Sequence, residues 1–355
     1  PAATVNVRRG PVFPKVMVAL GDPSLPDEVK RGGQFNEEDF ETINKLKESL
    51  SELKDYTFSY YTDHQSFLEQ MRKEPPQFVL NLCDEGYRND AFKELHVPAV
   101  FEMLGIPYTG AGPQCLGLCY NKAFVRAIAE SMDVPVPLET FHDPDDQAAN
   151  LPSNFPVLLK PNVGDSSIGI TKDSGVSNQT QFMNYWEYLR SLHPTRPILV
   201  QEYLSGTEYT VGVIGNPGMQ MTVLPILEFD FSGLGDGLPP ILGYESKWEP
   251  DSPYWSSIKY KESELPEAKR RALMDRSQLL FERLGCRDYA RFDFRADANG
   301  EIKLLEANPN PGWCWDGKMN IMAGMGGMTY ADMLRLILEA AQARYAHTPV
   351  AALAG

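Results

Sequence analysis

The sequence predicts an α/β protein divided into three subdomains, and three observations carry that prediction. At 355 residues the chain exceeds what a single hydrophobic core usually serves. Its first hundred residues alternate short apolar strands with amphipathic helices, the pattern of a parallel sheet. From residue 205 on it opens with strand-like runs and carries a hairpin, Tyr289 to Gly312. Pro/Gly punctuation and loop-like stretches place the expected units at 1–111, 112–204 and 205–355.

In the first unit, residues 15–20 read as a buried strand that ends in Gly21-Asp22-Pro23. No Gly-x-Gly-x-x-Gly follows, so a Rossmann cofactor site is not supported. Residues 36–54 predict a helix, with Asn36 as N-cap, Asp39 three residues on, and a stripe of Phe40, Ile43, Leu46, Leu50 and Leu53. Strands near 56–61 and 77–82 alternate with helices near 63–73 and 97–104. The second unit opens with a helix near 115–132 that carries Lys122. A strand at 157–159 then runs into Lys160-Pro161 and the small-residue stretch Gly164 to Gly169. Such a stretch can close backbone N–H groups on an anion or simply turn a hairpin. A strand at 197–204 ends in Glu202-Tyr203-Leu204. The third unit predicts strands at 208–215 and 219–230, a Gly/Pro-rich segment at 232–240, and a long loop at 243–255 bearing Lys247. Helices follow near 264–284 and 329–345, and 311–329 resists assignment.

The hairpin carries the chemistry. Asn299-Gly300 suits a two-residue type I′ turn. That turn sets Asp293 opposite Glu306 and Arg291 opposite Asn308, all four on one face. Phe292, Phe294, Leu305 and Ala307 then form the core face. Two carboxylates directly opposed repel one another. A divalent cation between them would explain their retention, since Mg²⁺ takes carboxylate and phosphate oxygens. The competing reading is a solvated hairpin whose acids are neutralised by Arg291 and Arg295.

Composition narrows the function. A net charge of −15 argues against general nucleic-acid binding, although a local basic cluster can still take an anionic ligand. Hydrophobic residues at 43% and charged residues at 23% are ordinary for a globular protein, and no apolar run approaches a membrane span. No signal peptide is visible. Five scattered cysteines form neither a zinc spacing nor a disulfide framework, so a reducing cytoplasm is expected. Cys115 and Cys119 read as packing residues.

Several stretches agree in order: GIPYTG (105–110), the helix with Lys122, FPVLLKPNVGDSSIGI (155–170), VQEYLSGTEY (200–209), the loop with Lys247, and RFDFRADANGEIKLLEANPNPG (291–312). Together they cover about two-thirds of the chain and resemble the ATP-grasp superfamily, within it the D-alanine–D-alanine ligase-like group. The resemblance implies an ATP-grasp fold with the nucleotide between the central and C-terminal units. It implies phosphate contacts from Lys122, Lys160 and Lys247, and a phosphate-covering loop at Ser166, Ser167 and Gly169. Adenine would lie at Glu202, Tyr203 and Leu204, and the ribose at Glu208. Asp293, Glu306 and Asn308 would hold Mg²⁺, with two ions expected and Mn²⁺ an allowed substitute. Arg291 and the Gly312 N–H would stabilise an oxyanion. The implied reaction is ATP-dependent joining of a small carboxylate and an amine through an acyl phosphate, in a cytoplasmic homodimer. A genuine D-alanine–D-alanine ligase and a non-catalytic nucleotide-binding protein are the alternatives.

The chain departs from the group where substrates bind. Pro311-Gly312 is followed by Trp313, Cys314, Trp315, Asp316, Gly317 and Lys318 in place of small polar residues. Trp313 and Trp315 are expected to reshape or stack in the pocket, and Lys318 either holds a substrate carboxylate or is solvated. Asn81 to Gly86, including Glu85, replaces the group's His-Gly and Glu-Asp-Gly segment. Gly32 to Glu37 has the spacing of the group's Gly-Gly-x-Ser-x-Glu without its serine, which makes Glu37 and Glu85 candidate substrate contacts.

Overall fold

A computed structural model describes residues 10–146, 151–164, 169–235, 237–249 and 251–347. Three sheets fall in successive stretches of the chain. The first is parallel, in the order β2-β1-β3, from β1 (Lys15–Ala19), β2 (Thr57–Tyr61) and β3 (Val79–Asn81). The second is antiparallel, in the order β4-β7-β5-β6, from β4 (Glu139–His142), β5 (Val157–Pro161), β6 (Gly175–Val176) and β7 (Ile198–Glu202). The third contains β8 (Glu208–Gly215), β9 (Met221–Val223), β10 (Leu227–Asp230), β11 (Lys259–Glu262), β12 (Asp288–Ala296) and β13 (Ile302–Asn308). Its order is β11-β10-β8-β12-β13, with β9 also on β8, and every pairing is antiparallel.

The helix Glu37–Ser51 forms as expected. Asn36 and Asp39 complete a capping box, and Ile43, Leu46 and Leu50 are buried against the first sheet. The expected helix at 115–132 is instead two, Pro113–Cys119 and Lys122–Glu130. Asn121 takes extended backbone and caps the second by accepting from the Phe124 N–H, which sets Lys122 at a helix start. The strand expected at 219–230 is likewise two, interrupted around Pro225, which lacks an N–H for the ladder. The unassigned stretch contains the helix Lys318–Met325. The helix Gln179–Leu192, which covers the second sheet through Phe182, Tyr185, Trp186 and Leu189, has no counterpart in the sequence reading.

The C-terminal helix Tyr330–His347 ties the units together. Met333, Leu334, Ile337, Leu338 and Ala341 share one buried cluster with β1 and β3. Near its end, the Arg344 guanidinium donates to both oxygens of buried Asp288 (3.0 and 2.8 Å) and to the Tyr108 carbonyl (2.9 Å). Cys115 and Cys119 are buried with Cys286, as packing residues would be. Among the described residues no helix is long and apolar enough to cross a membrane.

Candidate active site

The hairpin delivers the expected pairs, Arg291 with Asn308 and Asp293 with Glu306, but by another route. Asn299 has no positive φ, so there is no type I′ turn. Instead Asp297 pairs with Glu301 across Ala298, Asn299 and Gly300, and only Gly300 is left-handed, at φ +80°. This shifts the register by one residue. A bulge between Asp293 and Phe294 shifts it back. Leu305 is the extra residue. It leaves the core face expected of it and lines a cleft, and Leu304 takes its place in the core.

Around the hairpin, Arg291 donates to both Asp293 oxygens (Nε–Oδ1 3.1 Å, Nη2–Oδ2 3.1 Å), and Thr210 Oγ1 donates to Oδ1 at 2.5 Å. Burial alone would raise the Asp293 carboxyl. The Arg291 and Lys318 charges, with the hydrogen bonds from Arg291 and Thr210, reverse this and hold it well below the usual carboxylate range. Arg295 does not neutralise the hairpin acids. It pairs with buried Glu208 at 3.2 Å. The Asn308 amide reaches Asp293 Oδ2 (3.3 Å) and Glu306 Oε1 (3.5 Å), so both carboxylates converge on one point. Among the described residues no cluster of three or more His, Cys, Asp or Glu is placed to hold a metal. The two carboxylates are hard oxygen donors that fit Mg²⁺ completed by phosphate and water, and Asn308, whose Nδ2 faces both acids here, would add its amide oxygen with the amide turned over.

Two clefts meet at this point. The first lies between the second and third sheets and is lined by Lys122, Lys160, Glu202, Tyr203, Leu204, Glu208, Asp293, Glu306 and Lys318. Buried Lys160 donates from Nζ to Gln201 Oε1 (3.1 Å), and Gln201 is in turn held by donating to Glu139 (2.7 Å). Burial lowers the Lys160 pKa. Glu139 and Glu306 oppose the shift and Lys122 adds to it. Burial raises Glu208, against the Arg295 and Lys318 charges. Glu202 accepts from Lys303 Nζ (2.7 Å) and from the Leu138 N–H (2.9 Å). Gly169 is required where it stands, because a Cβ there would come within 2.7 Å of Pro161 and its φ is +74°. Ser166 and Ser167 lie outside the described residues. Lys247 falls in the short helix Glu245–Trp248, and its side chain lies outside them too.

The second cleft lies between the first unit and the segment after the hairpin. Arg291, Gly312, Glu85 and Lys30 line it, and Glu306, Lys122 and Gly164 lie on both clefts. Glu85 pairs with Lys30 at 3.2 Å. Three expectations need correction. Glu37 is exposed in the first turn of its helix, and its neighbours Glu38 and Asp39 line the cleft instead. Trp313 and Trp315 do not line it. Trp313 is 5% exposed and donates from Nε1 to the Leu82 carbonyl (2.8 Å) and Asp84 Oδ1 (3.0 Å), while Trp315 points to solvent. Cys314, between them, and Asp316, after them, face the cleft. Lys318 is neither solvated nor in this cleft. It lines the first one.

Sequence reasoning missed Gln201 and Thr210. Thr210 was readable from strand alternation, since it shares the Glu208 face of β8 and sits opposite Asp293, whereas Gln201 follows only from the β5–β7 register, which pairs it with Leu158 on the Lys160 face.

The profile of the D-ala D-ala ligase C-terminus family matches residues 139–339, more than half of the chain. The chain belongs to the D-alanine–D-alanine ligase family. Its relatives include the uncharacterized protein y4sG of Sinorhizobium fredii, 31% identical over 75% of each chain. The D-alanine–D-alanine ligase of Haemophilus influenzae is 28% identical over 74% of this chain and 86% of its own. Among solved structures, a Bacillus anthracis D-alanine–D-alanine ligase complexed with ATP superposes with a TM-score of 0.68 at 19% identity, covering 94% of this chain and 99% of its own. The VanG D-Ala:D-Ser ligase of Enterococcus faecalis gives 0.66 at 17% identity, with 93% and 99% covered. The fold is therefore ATP-grasp, and the family is one of ATP-dependent ligases that form C–N bonds.

Proposed function

We propose that this chain, as an ATP-dependent carboxylate–amine ligase of that family, activates a small acid as an acyl phosphate and passes it to an amine. One observation carries the reading. Glu306, opposed to Asp293 and beside Arg291, lies on both clefts, so a nucleotide phosphate in one would meet a substrate in the other. Lys122, Lys160 and Lys247 take the phosphates. The adenine lies against Glu202, Tyr203 and Leu204, the ribose against Glu208, and the loop of Ser166, Ser167 and Gly169 covers the triphosphate. Asp293, Glu306 and Asn308 would hold Mg²⁺, which would supply neutralisation of the triphosphate charge; two ions are expected, and Mn²⁺ is an allowed substitute.

In the first step a carboxylate oxygen of the donor bonds to the γ-phosphorus, and the bond to the ADP oxygen breaks. Positioning and charge neutralisation supply most of that catalysis. In the second, the amine attacks the acyl carbon. The tetrahedral oxygen gains negative charge, which Arg291 and the Gly312 N–H stabilise. Phosphate then leaves with one donor oxygen and the amine loses its proton. The second cleft carries Asp27, Asp39, Asp84 and Glu85 around Lys30, which pairs with Asp39 and Glu85, so this wall offers both signs of charge to an amino acid.

A cytoplasmic homodimer is the state favoured by the family resemblance, and light scattering on the purified protein checks it. The test of function is phosphate release from Mg·ATP with D-alanine alone and then with pooled amino acids. The names of the relatives favour a second reading, a D-alanine–D-alanine ligase, and a dipeptide from D-alanine alone would establish it. No release with any acid–amine pair would leave only the non-catalytic nucleotide binder, a reading opposed by retention of the whole acid, amide and lysine set.

A further inference from the structure

Lys318 is the first residue of the helix Lys318–Met325, six residues past Gly312. The sequence alone leaves it a choice between a substrate carboxylate and solvent. The structure does something else with it. The side chain turns into the nucleotide cleft, where it shares the wall with Lys122, Lys160, Asp293 and Glu306. Its ammonium lies 4.7 Å from the ring centroid of Phe229, a buried residue of β10. That contact gives the charge a fixed seat on an aromatic face. Glu208 lines the same cleft. Lys318 is placed by the third sheet and its covering helix, whereas Lys160 comes from β5 of the second sheet.

A nucleotide entering this cleft brings its charge on the phosphates, while its base is neutral. A half-buried ammonium on the wall of this cleft therefore has a phosphate oxygen as a further counter-charge, and such charge-assisted hydrogen bonds are the strong ones. We infer that Lys318 is a phosphate-contacting residue of the nucleotide site, gripping the di- or triphosphate from the side opposite Lys160. Opposed cations fix the phosphate chain across the cleft where one-sided contacts would leave it free to swing, and alignment is most of what phosphoryl transfer needs from the protein. The inference rests on the proposed function, since it assumes that this cleft takes the nucleotide.

The test is nucleotide binding by calorimetry, with Mg²⁺ present, for wild type, Lys318→Met and Lys318→Arg. Methionine keeps the apolar stem against Phe229 and removes the charge. Lys318→Met should weaken ATP and ADP by roughly tenfold or more and leave AMP nearly unchanged, with Lys318→Arg recovering most of the loss. Equal weakening for AMP, ADP and ATP would assign Lys318 to holding the cleft's shape and overturn the inference, as would unchanged ATP binding. Failure of the wild-type protein to bind ATP would overturn the functional reading itself, an outcome distinct from either.

Discussion

Replacing Trp313 tests where the segment after the hairpin does its work. The indole is 5% exposed, packs in the cluster shared by the first sheet and the C-terminal helix, and donates to Leu82 and Asp84. Trp313→Ala opens a cavity, and large-to-small changes of this kind cost about 3–5 kcal/mol. It also strips the Leu82 carbonyl and the Asp84 carboxylate of their donor, at about 1–3 kcal/mol for a buried group left unpaired. Trp313→Phe keeps most of the apolar contact and isolates that second loss, so about 1–3 kcal/mol is expected. Trp315→Ala, at an exposed side chain, should stay within about 0.5 kcal/mol of wild type. Urea unfolding followed by far-UV circular dichroism reads all three. The order Ala, Phe, then Trp315→Ala in decreasing loss is the expected result. A Trp313→Ala protein with unchanged unfolding but altered choice among amino-acid substrates would refute this reasoning, because it would put the indole at the substrate.

Further predictions follow from the same geometry. Glu306→Gln removes one of the two opposed charges, so turnover in a phosphate-release assay should vanish; unchanged activity would mean that the metal site is misplaced. Gln201→Leu leaves the buried Lys160 ammonium without the acceptor at 3.1 Å, which should lower an already lowered pKa. ATP affinity in that variant should then fall away at a lower pH than in wild type when titrated toward alkaline pH. Burial and the Glu85 charge raise the Asp84 carboxyl well above its ordinary value, against Lys30 and the Trp313 N–H. Its contribution is full below the unfolded carboxylate range near about 3.9 and is lost as pH rises through the raised folded value. Asp84→Asn, whose amide oxygen still accepts from Trp313, should therefore flatten the stability–pH curve across that window, as thermal melts would show.

Much of the site was legible because it is written in strand pairs. Strand alternation brought Arg291, Asp293, Glu306 and Asn308 to one face, and the register came out right because two local features compensate. The three-residue turn at 298–300 and the bulge at Leu305 each displace the ladder by one, in opposite senses. Neither is visible in residue types alone, since Asn-Gly suits either turn and Leu305 is as apolar as its neighbour. The tryptophans and Lys318 were misplaced for a different reason. Their positions depend on how the first sheet docks against residues 311–325, a contact between units distant in sequence. Trp313 reads as a pocket aromatic until Leu82 and Asp84 are known to lie beneath it. Lys318 reads as a surface lysine until Phe229 is found under its ammonium. Glu37 fails on a finer scale, because one residue along a helix is a turn of 100°, enough to exchange it for Glu38 and Asp39 at the cleft.

The central claim is that a donor carboxylate is phosphorylated at the junction of the two clefts. The most direct test supplies the donor acid with both carboxyl oxygens ¹⁸O-labelled, together with Mg·ATP and the amine, and weighs the released phosphate. An acyl phosphate predicts one labelled oxygen in the phosphate for each molecule of condensed product, in wild type and not in Glu306→Gln. Condensed product accompanied by unlabelled phosphate would contradict the account.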